Sequence, residues 1–182
     1  MGPDGDRSGP RAGGRSHVAL VGLSGTGKTT VAPMLARARG LRVVDLDREL
    51  EQRAGRDAAT VFAEDGEEAF RDLESDELRR ALDGPPAVIA TGGGVVVRPA
   101  NRQLLRERSR VVWLRADPEE LVGRVAGSRQ ERPLLGGDAA TALRRLARER
   151  DPLYREVADL VVEVGGRAPA TVAEQLDREL PA

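Results

Sequence analysis

The octapeptide Gly22-Leu23-Ser24-Gly25-Thr26-Gly27-Lys28-Thr29 constrains this chain more than any other feature. It fits Gly-x-x-x-x-Gly-Lys-Ser/Thr, a turn whose backbone N–H groups point inward around phosphate oxygens. Such a turn needs a strand to launch it and a helix to receive it. The apolar run His17–Val21 reads as a buried strand, and Thr29 to Arg39 reads as a helix that stops at Gly40. The helix N-terminus adds partial positive charge where a phosphate would sit. Lys28 is placed to reach the β- and γ-phosphates of a nucleotide, and the Thr29 hydroxyl to ligate Mg²⁺. Gly22, Ser24, Gly25, Thr26, Gly27 and Thr30 complete the candidate nucleotide-binding stretch. The plain alternative is a glycine-rich turn that binds nothing, and lysine usage argues against it. Lys28 is the only lysine among 29 basic residues. Arginine serves everywhere else, so a lysine here points to a loop that takes a compact ammonium and excludes a planar guanidinium.

The rest of the chain alternates in the same manner. Val43–Val44 lead into Asp45 as a second strand, Ala87–Ala90 is a third, Arg110–Leu114 a fourth and Leu160–Val164 a fifth. Between them lie helical patterns: Asp57 to Leu82, broken near Asp65–Gly66; Pro99 to Glu107; a helix opened by Asp117 as N-cap and Pro118; Ala139 to Arg150; and Pro169 to Leu180. Gly84-Pro85-Pro86 is a turn. Strands alternating with helices imply an α/β fold, a parallel sheet covered on both faces. One domain of ordinary size accommodates 182 residues. Residues 1–16 read as a disordered leader, residues 17–182 as the domain, and the polar segment at about 127–137 as a lid over the site.

Composition excludes several classes of function. Net charge is −1, from 29 basic and 30 acidic residues, which argues against a nucleic-acid binder acting through a broad positive field. No cysteine and a single histidine, His17, rule out thiolate or multi-histidine metal sites. No apolar run approaches the length of a membrane span, and the N-terminus lacks the apolar stretch of a secretory signal, so a cytoplasmic protein is expected. A monomer is the expected state, although the sequence does not itself give the oligomeric state.

Several further groups suggest an acceptor site. In Asp45-Leu46-Asp47 the two carboxylates stand at i and i+2, and an extended segment would point both the same way at the carboxyl end of the second strand. One could serve Mg²⁺ and the other accept a hydrogen bond from a substrate hydroxyl, although a strand-end capping pair would look the same. Arg71 and Glu74 share a helix face, which alone would describe a surface ion pair. Phe62 and Phe70 are by default core residues. Gly92-Gly93-Gly94 follows the third strand directly and would let a ligand approach the backbone. Arg132 lies in the polar segment, where a cation could close over transferring phosphate. Arg150 could grip a carboxylate with its planar fork.

Taken in order, these pieces resemble one family, the shikimate kinases. The matching residues are Gly22–Thr29, Asp45-Leu46-Asp47, Phe70-Arg71-x-x-Glu74, Thr91-Gly92-Gly93-Gly94-Val95-Val96, Arg132-Pro133-Leu134-Leu135 and Arg150-Asp151-Pro152-Leu153-Tyr154, covering the chain from about Val18 to Leu180. The resemblance implies a P-loop kinase fold, a five-stranded parallel sheet of order 2-3-1-4-5. It implies ATP- and Mg²⁺-dependent phosphorylation of shikimate to shikimate 3-phosphate, a step toward chorismate and the aromatic amino acids. Asp47, Arg71, Glu74, Gly92, Gly93, Gly94 and Arg150 would then hold shikimate, with Arg71 and Arg150 on its carboxylate. Asp45 and Thr29 would serve Mg²⁺, Arg132 would be the lid cation, and Arg167 would fall in the adenine-contacting loop. The arginine that stacks on adenine would be Arg124 or Arg129. Competing readings are a gluconate kinase, a nucleoside monophosphate kinase, and a nucleotide-dependent regulatory module without an acceptor.

Overall fold

Five strands and seven helices alternate along residues 15–125 and 139–181, the part of the chain that the computed structural model describes. In chain order they are β1 (His17–Val21), α1 (Lys28–Arg39), β2 (Arg42–Asp45), α2 (Leu46–Ala54), α3 (Ala58–Asp83), β3 (Ala87–Ala90), α4 (Pro99–Arg108), β4 (Ser109–Arg115), α5 (Pro118–Val125), α6 (Ala139–Val157), β5 (Leu160–Glu163) and α7 (Pro169–Glu179). Residues 1–14 of the expected leader, and the whole of the expected lid with Arg129 and Arg132, lie outside the described residues. Arg15, where the described chain begins, pairs with Asp159 at 2.5 Å and donates from Nε to the Arg106 carbonyl at 2.8 Å.

The sheet is parallel throughout, in the order β2-β3-β1-β4-β5. Parallel strands covered by helices on both faces should be apolar on both faces, and every residue of β1 and β3 is buried. Leu20, Ile89, Val112 and Leu114 are fully buried in the resulting core, with Leu35 of α1 and Leu176 of α7 against one side. From the central β1 the chain leaves to one side for β2 and β3 and to the other for β4 and β5. The crevice where the direction reverses opens at the carboxyl ends of the strands, the usual ligand edge of such sheets. Three strands read straight into the residues singled out above: β1 into the phosphate loop, β2 into Asp45, and β3 into Thr91 and the three glycines.

Three local expectations change. The Asp45-Leu46-Asp47 segment is not extended. β2 ends at Asp45, whose Oδ1 accepts from the Arg48 N–H at 3.3 Å, and α2 begins at Leu46. A carboxylate at a strand end supplies the acceptor that the first helical N–H groups lack, so the chain turns helical at once. Asp47 therefore stands in the first turn of α2, where the helix dipole favours a negative charge.

The second change is in α6, which runs past Arg150 and through Pro152 to Val157. Proline inside a helix typically costs about 3 kcal/mol. Here Leu143, Ala147, Tyr154 and Val157 bury one face on both sides of it, and that burial carries the helix through.

The third concerns Phe62 and Phe70. They meet edge to face with ring centroids 5.7 Å apart, but both are only half-buried and stand outside the main core. The expected break in α3 is confirmed: Gly66 takes φ 87°, ψ 169°, and the helix resumes beyond it in a new direction.

Candidate active site

The phosphate loop fills the turn between β1 and α1. Gly22 has φ 141°, and a methyl group on it would collide with the Leu114 carbonyl oxygen of β4. Only glycine lets the loop leave the sheet at that angle. Gly27 has φ 90° and its carbonyl accepts from the N–H groups of Thr30 (3.0 Å) and Val31 (2.8 Å), which starts α1. The Thr26 hydroxyl is buried and donates to the Leu23 carbonyl at 2.8 Å, bracing the loop from below. Lys28 is 92 % covered, and its ammonium donates to the carbonyls of Gly22 (2.8 Å) and Leu23 (2.9 Å). The side chain thus folds back over the loop, its charge held beside the inward-turned backbone. Thr29 and Thr30 stand exposed in the first turn of α1. From α5, Arg124 donates to the Gly25 carbonyl at 3.4 Å. Arg167, just beyond β5, donates to the Glu163 carbonyl at 2.9 Å.

A second cleft adjoins the loop. It is lined by Ser24, Asp47, Ala58, Phe70, Arg71, Glu74, the three glycines 92–94 and Arg150. The glycines are spacers for side chains from four elements. A Cβ on Gly92 would stand 2.8 Å from both Asp47 Oδ1 and Glu74 Oε1; one on Gly94 would strike the Arg71 guanidinium. One on Gly93 would stand 3.4 Å from Ser24 Oγ and 3.5 Å from Arg150 Nη1. Gly93 is therefore where the phosphate loop, the strand end and α6 converge. Its carbonyl accepts from the Tyr154 hydroxyl at 2.5 Å.

The electrostatics of this cleft are unusual for a protein with balanced charge. Arg71 and Glu74 are both almost completely buried and paired at 2.8 Å, with Glu67 of the same helix 3.5 Å from the other Arg71 nitrogen. They are no surface pair. Burial holds the Glu74 carboxyl above its ordinary range, and the Arg71 and Arg150 cations oppose this without overcoming it. The Arg71 guanidinium also lies over the Phe70 ring, 5.2 Å from its centroid. Arg150 is half-buried and, among the described residues, has no carboxylate within ion-pair distance. Two guanidinium groups therefore face one small cleft that also holds two carboxylates, one of them committed to Arg71. That set suits a small anionic ligand bearing hydroxyl groups.

Of the residues expected from the sequence, the structure brings Ser24, Asp47, Arg71, Glu74, Gly92, Gly93, Gly94 and Arg150 together in the cleft. Gly22 to Thr30 form the adjoining loop, and Arg167 stands apart at the end of β5. Asp45 is half-buried at the end of β2, its cap made by Oδ1 alone. Among the described residues no three His, Asp or Glu side chains cluster as a self-sufficient metal site. The candidate donors, the Thr29 hydroxyl in the first turn of α1 and the Asp45 carboxylate at the end of β2, are hard oxygens. They suit Mg²⁺, which typically takes one or two protein oxygens and fills its shell from phosphate and water. Two contributors have no site role in the sequence reading: Ala58, at the start of α3, and Tyr154, which appears there only within the segment Arg150–Tyr154. The signal for Tyr154 was its position four residues after Arg150, which places both on one helix face.

With this geometry in hand, comparison with known proteins is decisive. The family model described as shikimate kinase matches residues 24–181. The chain belongs to the shikimate kinase family. A shikimate kinase from Paracidovorax citrulli is 48% identical over 153 residues, spanning 82% of this chain and 83% of that one. One from Pseudomonas putida is 44% identical over 158 residues, spanning 86% and 91%. Among solved structures, a shikimate kinase from Acinetobacter baumannii in complex with shikimate superimposes with a TM-score of 0.85 at 35% identity, covering 91% of this chain and 95% of that one. A gluconokinase from Sinorhizobium meliloti reaches a TM-score of 0.57 at 14% identity, a likeness of fold alone. The family's fold and the one observed here agree in strand order, and the competing gluconate-kinase reading keeps only the shared scaffold.

Proposed function

We propose that this chain transfers the γ-phosphoryl group of ATP to a ring hydroxyl of shikimate, giving shikimate 3-phosphate and ADP. The observation that carries the reading is the junction at Gly93, where the phosphate loop's Ser24 and the cleft's Arg150 meet within van der Waals reach of one residue. A phosphate held by the loop and an anion held by the cleft would then be close neighbours, as in-line transfer requires.

In this reading Arg71 and Arg150 grip the shikimate carboxylate. Glu74 holds Arg71 in place, and Asp47 accepts a hydrogen bond from the hydroxyl to be phosphorylated. That oxygen forms the new bond to the γ-phosphorus while the bond to the β–γ bridging oxygen breaks. ADP leaves, and the hydroxyl proton passes to Asp47 or to water. The transition state for such transfer is loose, so charge neutralisation and alignment do most of the work. Lys28 and the loop N–H groups supply both on the nucleotide side. Thr29 and Asp45 are the residues that would hold Mg²⁺, whose part is to neutralise phosphate charge. Arg132, the expected lid cation, lies outside the described residues.

The test is ADP release measured across shikimate, gluconate and nucleoside monophosphates with MgATP. ADP release should depend on shikimate and on none of the others. ADP release no faster with shikimate than without it would overturn the assignment.

A further inference from the structure

The phosphate loop and the acceptor cleft are carried by neighbouring strands, β1 and β3, which run in register with Leu20 opposite Ala90. One residue on, the Thr91 N–H donates to the Leu20 carbonyl at 3.2 Å. The Thr91 hydroxyl donates to the same oxygen at 2.9 Å. A carbonyl oxygen has two lone pairs, enough for both donors. Beyond this point the two chains part. Gly22 opens the phosphate loop two residues after Leu20, and Gly92 opens the cleft wall directly after Thr91. Among the described residues, the backbone bonds that follow stay within each segment: the Val95 N–H to the Gly92 carbonyl at 3.2 Å, and the Thr26 N–H to the Leu23 carbonyl at 3.4 Å. Thr91 is 2 % exposed, so its hydroxyl is kept from water. Valine has the shape of threonine without the hydroxyl, and the backbone N–H alone would satisfy the Leu20 carbonyl. The buried hydroxyl therefore adds a polar group that the sheet itself does not require.

We propose that Thr91 is a positioning residue for phosphoryl transfer, its hydroxyl fixing the phosphate loop and the acceptor cleft relative to each other. The inference rests on the reading of these two sites as the donor and acceptor halves of one kinase. The cleft wall lies directly against the loop. A Cβ on Gly93 would stand 3.4 Å from Ser24 Oγ and 3.6 Å from the Gly22 carbonyl oxygen. Any splaying of β1 from β3 at their ends therefore passes straight into the distance between nucleotide and acceptor. The end of a strand ladder is where such opening starts, because the last bond has no neighbour beyond it. A second bond to the last shared carbonyl resists it. Threonine is stiff about its first side-chain torsion, so the hydroxyl holds one direction. The role needs no contact with either substrate, and it acts on alignment more than on affinity. Transfer requires the reacting atoms close and in line, and about 1 Å of misplacement can cost roughly a hundredfold in rate. Binding of each substrate to its own half does not depend on the distance to the other.

The experiment uses two pairs of proteins that differ by one hydroxyl: wild type against Thr91→Val, and Thr91→Ser against Thr91→Ala. ADP release is measured with MgATP and shikimate, alongside a thermal melt. Removing the hydroxyl should lower kcat about tenfold within each pair. The KM for ATP, the KM for shikimate and the melting temperature should stay near their starting values within each pair. Thr91→Ser should keep most of the wild-type kcat. Equal kcat within both pairs overturns the inference. A fall in kcat matched by a rise in either KM, or by a lower melting temperature, also overturns it, because that pattern marks damage to one half or to the fold. Should the valine variant not fold, the serine and alanine variants decide the matter, since both lack the methyl group and only one keeps the hydroxyl. A wild type that releases no ADP in response to shikimate removes the functional reading and this inference with it. A wild type that turns over, with pairs that do not differ, rejects this inference alone.

Discussion

Lys28 is the clearest case of one residue whose chemistry follows from its surroundings. Its ammonium sits between two loop carbonyls, nearly enclosed, and it is the chain's only lysine. An amine-acylating reagent has two targets, Lys28 and the terminal amine. Acylation at Lys28 removes the charge and adds bulk inside the loop. Inactivation should track a single modification there, saturating MgATP should protect, and Lys28→Arg should not restore turnover because a planar fork does not fit the enclosure. Fully acylated Lys28 with near-normal turnover, read by mass spectrometry and ADP release, would show that the lysine has no part in phosphate binding. Arg71 allows a second test. Arg71→Ala leaves Glu74 buried without its cation, so the protein should lose about 3 kcal/mol in a urea melt. The shikimate KM should rise while the ATP KM stays put. An unchanged shikimate KM in the folded variant would remove Arg71 from the clamp.

At the scale of the element, α3 does more than cover the sheet. Its first part ends at Gly66, where φ 87°, ψ 169° is a conformation open essentially to glycine. Beyond the break the helix re-aims Phe70, Arg71 and Glu74 into the cleft. Arg98, at the N-terminus of α4, holds this second part by pairing with Asp72 at 2.6 Å and with Glu68. Nothing lies within 4 Å of where a Gly66 methyl would be, so any effect of Gly66→Ala comes from backbone strain alone. The substitution should cost about 1–3 kcal/mol. It should also raise the shikimate KM, because relieving the strain re-aims Arg71. A melt and a KM both matching wild type would mean that the break has no bearing on the cleft. The Asp45–Asp47 segment carries the same lesson in reverse. Periodicity of two fits an extended pair, but a capping carboxylate ends the strand after one of them.

For the whole molecule, the single histidine sets a pH limit. His17 is buried at the start of β1, and desolvation lowers its pKa; the Leu82 carbonyl opposes this, while the Arg108 and Arg42 charges add to it. The folded state therefore binds this proton less readily than the unfolded chain does. Stability from His17 is complete above pH 6.5 and is lost as pH falls from there toward the folded-state value. Glu74 and Asp151, whose carboxyls are raised by burial, act in the opposite sense, so the informative quantity is a difference. Wild type minus His17→Asn should show Tm declining between pH 7.5 and 5.5, each kcal/mol appearing as roughly 2–4 °C. Parallel curves would mean that His17 folds with an ordinary pKa. The strands, the phosphate loop and the parallel sheet were legible in the chain because each is a local pattern: a short apolar run, a glycine at a strand end, a proline or aspartate opening a helix. Arg71, Glu74 and Arg150 each stand out locally as candidates, but they read as parts of one site only through the order of motifs they share with a family. Local pattern alone made Arg71 and Glu74 a surface ion pair and Phe70 a core residue. What the sequence by itself determined is the ladder of strands and the loop that follows the first of them, since hydrophobic periodicity and glycine stereochemistry act within a few residues. What only the tertiary structure decided is that Arg71, Arg150, Asp47 and Tyr154, drawn from three helices, converge on three glycines beside that loop. Charge and burial at such a site depend on distances between residues far apart in the chain, and those distances exist only once the helices have packed on the sheet.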